Sequence, residues 1–160
     1  MKEYKPLPTG IEDFEELIQK DYYYIDKTLW IKELIDRKTK AGLFTRPRRF
    51  GKTLNLSMLR YFFEDTGNAE RNEENRRLFD GLAIADAGGK YAEHMQNYPV
   101  ISLTLKSAKQ ANFEYAFGRM KENIAKEFAR HEDVVIPALK YEEKVKKYQS
   151  IRAEKADDAE

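Results

Sequence analysis

One stretch of the sequence carries residue types that can hold a phosphate group. The apolar run 43–45 leads into a basic turn, which ends with Gly51, Lys52 and Thr53 ahead of an apolar segment. A glycine lets the backbone approach phosphate oxygens, and the N–H groups at the start of a helix point at the anion. Lys52 could reach the β- and γ-phosphates, and the Thr53 hydroxyl could hold Mg²⁺. The spacing therefore predicts a phosphate-binding P-loop between a strand and a helix.

The motif departs from the pattern G-x-x-x-x-G-K-[ST] at its first position. Arg46 stands where the first glycine would fall, and Pro47 fixes one backbone φ angle of the loop. Motifs this short also occur by chance, and a basic turn that binds no nucleotide could have the same sequence. Both interpretations are open from the residues alone.

The composition is typical of a soluble globular chain. The 160 residues correspond to one domain, and a formal net charge of +1 gives no general attraction for nucleic acid or membranes. There is no cysteine, which excludes disulfides and thiolate metal sites. The first residues lack the apolar core of a signal peptide, and no apolar run has membrane-spanning length. We therefore expect a cytoplasmic protein with no membrane partner.

The elements around the loop follow both helix and strand patterns. Apolar residues at helical spacing predict helices at 11–18, 29–35, 54–63, 73–79 and 113–128. Short apolar or β-branched runs predict strands at 22–25, 41–45 and 98–105. A P-loop core needs a parallel sheet with helices on both faces. The patterns thus predict an α/β fold of three layers, with a short, incomplete parallel sheet flanked by helices.

One further run has the form of a Walker B strand. Residues 82–86 are apolar and end in Asp86, but the run is short and alanine-rich, and two glycines follow instead of a second acid. This composition favours a loop edge or a short strand over a Mg²⁺-organising element.

Four sequence blocks are similar to a known protein family. They are 8–14, 22–28, 44–59 and 97–101, so that the similarity extends over nearly the whole chain. Together they resemble the bacterial AAA-ATPase-like proteins, in which an N-terminal ATPase region is often followed by a PD-(D/E)XK nuclease-like region. The P-loop of that family carries arginine at the position of Arg46. The resemblance implies a P-loop NTPase fold of AAA type.

The resemblance also implies a site for ATP and Mg²⁺. By position, Gly51, Lys52 and Thr53 would contact the phosphates, and Thr53 would also hold the metal ion. The remaining residues of the loop would line the same site, namely Arg46, Pro47, Arg48, Arg49, Phe50 and Leu54.

The segment 24–28 precedes the loop, where related P-loop ATPases place residues beside adenine. Tyr24 and Asp26 are therefore expected to help form a base pocket. The alternative is that Tyr24 is a packing residue and that Asp26 caps the next helix.

The family's Walker B strand, with the acids that organise Mg²⁺ and orient water, is expected beyond the point where this sequence stops. Residues 1–137 would then be the N-terminal part of the ATPase domain, and 138–160 a charged helical tail. We expect such a chain to bind ATP without efficient hydrolysis. An incomplete sheet would also leave apolar surface exposed and favour self-association.

Two other functions are compatible with the residues. The loop arginines and Lys52, interleaved with aromatic rings, could neutralise the phosphates of a nucleic acid or bind another partner. The chain could also be an inactive fragment. His94 and His131 have no ligand-like spacing and are expected at the surface.

Overall fold

The computed structural model describes residues 4–38, 40–45, 47, 50–106, 109 and 111–155. The chain divides into two compact units. One comprises Met1–Glu64 and Ala69–Tyr98, and the other comprises Asp65–Asn68 and Pro99–Glu160.

The described residues form helices joined by turns and irregular segments. The helices are α1 (Phe14–Gln19), α2 (Leu29–Arg37), α3 (Lys52–Phe63), α4 (Ala69–Arg77), α5 (Gly89–Ala92), α6 (Phe113–Arg130), α7 (Glu132–Ala138) and α8 (Glu142–Arg152). A 3₁₀ turn covers Ala85–Ala87 and overlaps the end of the run 82–86, which has the form of a Walker B strand. The predicted helices are confirmed, with boundaries displaced at their ends. Among the described residues, no helix combines the length and apolar character needed to cross a bilayer.

Local sequence signals explain where several helices begin and end. The Asp13 carboxylate accepts a hydrogen bond from the Glu16 N–H at 3.1 Å, and the Asn112 side chain accepts one from the Glu114 N–H at 2.7 Å. Such caps satisfy N–H groups that have no acceptor within the helix. At the C-terminal end of α2, Lys38 adopts the left-handed conformation that often terminates helices.

The predicted parallel sheet is wrong. In the described part of the chain, the segments 22–25, 41–45 and 99–105 have no regular secondary structure and form no strand. The β-type pairing found there is one isolated parallel bridge between Glu64 and Tyr98. The α/β three-layer architecture is therefore corrected to a helical one for the residues that the structure describes.

The apolar runs do not become strands because a strand is stable only beside another strand. An unpaired extended segment has no ladder partner for its N–H and C=O groups. The side chains of these runs face solvent instead: Leu43 is 88% exposed, Ile101 73% and Leu105 67%. The sequence pattern identifies the apolar character of these runs correctly, but it cannot indicate whether a neighbouring strand is present to pair with them.

The core of the first unit is built around α3. Met58 and Phe62 on this helix are fully buried and Tyr61 nearly so. The rings of Phe14 and Phe79 lie 5.1 Å apart, and those of Phe62 and Phe79 lie 5.3 Å apart. Apolar residues from the neighbouring elements complete this cluster, namely Ile31, Leu78, Ile84 and Tyr91.

The second unit is organised by α6 and α8. Tyr148 of α8 is buried, its hydroxyl donates to the Phe128 carbonyl at 2.6 Å, and the two rings lie 4.7 Å apart. His131, predicted at the surface, is buried, and its Nδ1 lies 2.8 Å from the Glu127 carbonyl. The predicted boundary after residue 137 stays a prediction.

Side chains of α6 form hydrogen bonds with the backbone of the preceding segment, 99–105. Glu127 accepts a hydrogen bond from the Ser102 N–H at 2.9 Å, and Arg130 donates to the Val100 carbonyl at 2.8 Å. Asn123 donates to the Thr104 carbonyl at 3.1 Å. Backbone groups that a sheet would have paired are satisfied here by a helix surface.

We expect Phe62→Ala to destabilise the first unit by about 3–5 kcal/mol, because it leaves a cavity in the aromatic cluster. Urea unfolding followed by circular dichroism would measure this loss. Phe113→Ala is the matched control, since Phe113 is 79% exposed and should change stability little. Equal losses for the two variants would contradict this account of the core.

Candidate functional site

The basic loop ends in a backbone geometry that only glycine adopts easily. Gly51 has φ 70° and ψ 22°, and a Cβ added there would meet no heavy atom within 4 Å. The requirement for glycine is therefore conformational and not one of space. Lys52 and Thr53 follow as the exposed first residues of α3, and the first hydrogen bond runs from the Asn55 N–H to the Gly51 carbonyl at 2.9 Å.

This arrangement creates a local positive potential. The leading N–H groups of a helix have no acceptor within it, and the helix dipole adds partial positive charge at the same end. Lys52 contributes a full charge at the same place. The geometry is suited to an anion such as a phosphate group.

Contacts with α1 fix the direction of α3. The Ser57 hydroxyl accepts a hydrogen bond from the Phe14 N–H at 3.0 Å and donates to the Asp13 carboxylate at 3.1 Å. The Tyr61 hydroxyl also contacts Asp13, at 3.2 Å. Ser57 and Tyr61 follow Thr53 at successive four-residue intervals, so they share its side of the helix.

A second contact joins α1 to α4. The Arg71 guanidinium donates to both oxygens of Glu15 at 2.7 Å, and the Tyr61 hydroxyl reaches Glu15 at 3.1 Å. The hydrogen bonds from Arg71 hold the pKa of Glu15 below its ordinary value, although burial acts in the opposite direction. A bidentate pair of this kind sets the geometry of both helices as well as their attraction.

Tyr24 and Asp26 already make contacts within the fold. The Tyr24 ring packs edge-on against Phe14 at 5.7 Å, and its hydroxyl accepts from the Lys27 N–H at 3.2 Å. Burial raises the pKa of Tyr24. Asp26 and Tyr24 both line a cavity of about 380 Å³. Their place in a base pocket stays a prediction.

Asp26 fastens the segment ahead of α2. Its carboxylate accepts hydrogen bonds from the Thr28 N–H at 2.7 Å, the Thr28 hydroxyl at 2.6 Å and the Ala83 N–H at 2.8 Å. Burial alone would raise the pKa of Asp26, but these hydrogen bonds outweigh it and leave the pKa below its ordinary value. Thr28 is fully buried and accepts from the Ile84 N–H at 3.1 Å.

A separate cavity of about 600 Å³, here called the Trp30 cavity, opens beside the start of α3. Its lining combines apolar, aromatic and charged side chains: Lys27, Leu29, Trp30, Glu33, Gly42, Phe44, Lys52, Asn55 and Leu56. The rings of Trp30 and Phe44 meet edge to face, with centroids 4.2 Å apart. Gly42 permits this packing, since a Cβ there would lie 3.2 Å from the Phe44 ring.

The sequence patterns did not identify the Trp30 cavity. The patterns predict Trp30 in the helix at 29–35, and Phe44 both in the strand at 41–45 and among the aromatic rings interleaved with the loop cations. One signal was available, because Trp30 is the single tryptophan of the chain and precedes the loop on a short amphipathic helix. Only the tertiary structure brings Trp30, Phe44 and Lys52 to one cavity.

The structure describes some of the predicted loop residues and not others. Pro47 is exposed, Phe50 is 62% exposed, and Leu54 is partly buried against the core of the first unit. The predicted phosphate contacts of Arg46, Arg48 and Arg49 lie outside the described residues. Where the chain is described, it has no group of His, Cys, Asp or Glu side chains that could hold a metal ion by itself.

We expect Glu15→Gln to reduce the acid sensitivity of the first unit. The lowered pKa of Glu15 contributes stability above its ordinary value of 4.5, and this contribution is lost as the pH falls through the folded-state pKa. Urea unfolding from about pH 7 to about pH 3 should therefore show a shallower decline for the variant. Glu16→Gln, which removes an exposed ion pair with Lys20, is the matched control and should keep the parent's slope. A parent-like slope for Glu15→Gln would contradict the assigned role.

Comparison with known proteins identifies the family. A curated relative, an uncharacterized protein in the vnfD 5' region of Azotobacter chroococcum mcd 1, is 42% identical over 83 residues. That match covers 51% of this chain and 14% of the relative, so the chain corresponds to a small part of the relative's length. No solved structure matches the chain. A sequence model for AAA-ATPase-like proteins, described as predicted AAA-ATPases, matches residues 8–158, and the chain therefore belongs to the AAA-ATPase-like family.

Proposed function

We propose that this chain binds ATP together with Mg²⁺ at the start of α3. The observation that carries the proposal is the left-handed Gly51 followed directly by Lys52 and Thr53 as the first turn of a long helix. Membership of a family of predicted AAA-ATPases supports a nucleotide as the ligand.

The phosphates would lie against the leading N–H groups of α3. Lys52 would contribute its ammonium group to the β- and γ-phosphate oxygens, and Gly51 would let the backbone approach them. The loop would complete the site through Arg46, Pro47, Arg48, Arg49, Phe50 and Leu54, whose arginines are suited to bidentate contacts with phosphate.

The donor set of the chain is suited to Mg²⁺ held jointly with a phosphate. Mg²⁺ commonly keeps several waters and takes only one or two protein ligands besides phosphate oxygens. The Thr53 hydroxyl, exposed in the first turn of α3, can be such a ligand. When bound, the ion would neutralise phosphate charge.

The contacts between α1 and α3 support the site. Asp13 binds Ser57 and Tyr61 on the side of α3 that also carries Thr53. This arrangement holds the helix start in one direction. A preformed anion site loses less entropy on binding than one that must first become ordered.

We expect Lys52→Ala to weaken MgATP binding by roughly 10- to 100-fold, the range typical of losing a charged hydrogen bond. Isothermal titration calorimetry on the full chain measures this change. Lys20→Ala is the matched control, since Lys20 is exposed and pairs with Glu16 instead. Unchanged affinity in Lys52→Ala, or no affinity of the parent chain for MgATP, would contradict the proposal.

The same titration with a short DNA duplex tests the nucleic-acid alternative. Affinity that depends on the loop cations and falls steeply with salt would favour that alternative over a nucleotide site.

We expect Thr53→Val to remove the advantage that Mg²⁺ gives to ATP binding, because valine keeps the shape of threonine but lacks its hydroxyl. Affinities for ATP measured with Mg²⁺ and with EDTA give this ratio. Thr53→Ser, which keeps a hydroxyl, should retain the advantage that Mg²⁺ gives to ATP binding. An unchanged Mg²⁺ effect in Thr53→Val would exclude Thr53 as a metal ligand.

A further inference from the structure

We propose that the Trp30 cavity is the site of the nucleotide's base, in place of the pocket predicted beside Tyr24 and Asp26, which line a different cavity. This inference rests on the proposed nucleotide binding and adds to it the residues that would hold the base. It assigns that role to Trp30 and Phe44, of which Trp30 lies outside every sequence block that marks the loop.

The position of the cavity joins it to the phosphate site. Lys52 and Asn55, both on the first turn of α3, form part of its wall. A ligand held by its phosphates at Lys52 therefore has this cavity beside it. The volume of about 600 Å³ is in the range of about 300–1,000 Å³ that small-molecule sites occupy.

The surface of the cavity is suited to a flat ring system. Trp30 and Phe44 each hold the other in place through their edge-to-face contact at 4.2 Å. Leu29 and Leu56 add apolar walls and are 51% and 54% exposed, so a flat ligand would remove this surface from water. Stacking on aromatic rings is a general way in which proteins hold bases, because every base has a π-face.

The charges of the cavity favour a ligand with one anionic end. Lys27 and Lys52 are cationic, whereas Glu33 places a carboxylate in the same wall and pairs with Arg37. A uniformly anionic molecule would meet Glu33 unfavourably. A nucleotide fits both kinds of wall, because its anionic phosphates can lie at Lys52 while its uncharged base lies among Leu29, Trp30 and Phe44.

Trp30 also provides the measurement, because it is the single tryptophan in the chain. Its intrinsic fluorescence therefore reports on the surroundings of one ring, which lines this cavity and also packs against the core of the first unit. The full chain is titrated with MgATP and, separately, with magnesium tripolyphosphate, which has the phosphates but no base. Calorimetry in parallel measures binding without relying on the tryptophan.

We expect MgATP to change the Trp30 emission along the same binding curve that calorimetry gives. Tripolyphosphate should bind in the calorimeter and leave the emission unchanged. Adenosine, which lacks phosphates, should produce the ATP-type change only at higher concentration.

Substitution of the cavity wall tests the inference without removing Trp30. Leu56→Ser should weaken MgATP binding roughly tenfold and leave tripolyphosphate binding unchanged, because it removes apolar contact with the base alone. Leu43→Ser is the matched control: Leu43 adjoins the lining residues Gly42 and Phe44 but is itself 88% exposed. It should leave both affinities as in the parent.

The outcomes separate this inference from the proposed function. If MgATP binds in a Lys52-dependent way without altering the Trp30 emission, or if Leu56→Ser weakens both ligands equally, the base lies elsewhere and only the phosphate site stands. If all ligands leave a blue-shifted emission unchanged, a part of the chain already fills the cavity. If MgATP does not bind at all, the proposed function and the base site are both wrong.

Discussion

The contact between α1 and α3 is the constraint on which the first unit depends. Phe14 is fully buried against the α3 face that carries Met58 and Phe62, and polar groups close the edge of this apolar contact. There the Asp13 carboxylate caps α1 and binds the side chains of α3 at the same time. One short helix thereby fixes the direction of α3, whose start is set by Gly51.

The two sides of α3 serve different purposes. One side lies in the core, where its side chains pack against the other apolar residues of the first unit. The other begins at Lys52 and continues through Asn55 to the half-exposed Leu56, along the wall of the Trp30 cavity. A helix that is packed in the core on one side and accessible on the other can present an anion site without reorganising its core.

Two segments without strand pairing, 22–28 and 99–105, have backbone groups that are hydrogen-bonded by side chains. Residues 22–28 are fastened by Asp26 and Thr28 to the turn at Ala83 and Ile84. In the second unit, side chains of α6 bind backbone groups at Val100, Ser102 and Thr104. In both places hydrogen bonds from side chains replace a strand ladder, which leaves many of the apolar side chains exposed.

The sequence by itself determined the family, most of the helices and the turn at the helix start, because these depend on local patterns: characteristic motifs, four-residue apolar spacing, caps, and a left-handed position at Gly51 that glycine adopts at least cost. Tertiary structure alone decided the rest. Strand formation at 41–45 and 98–105 requires a pairing partner that no local pattern can report, and burial of His131 depends on packing around it. The Trp30 cavity likewise needs α2, the segment 42–44 and α3 to meet in space.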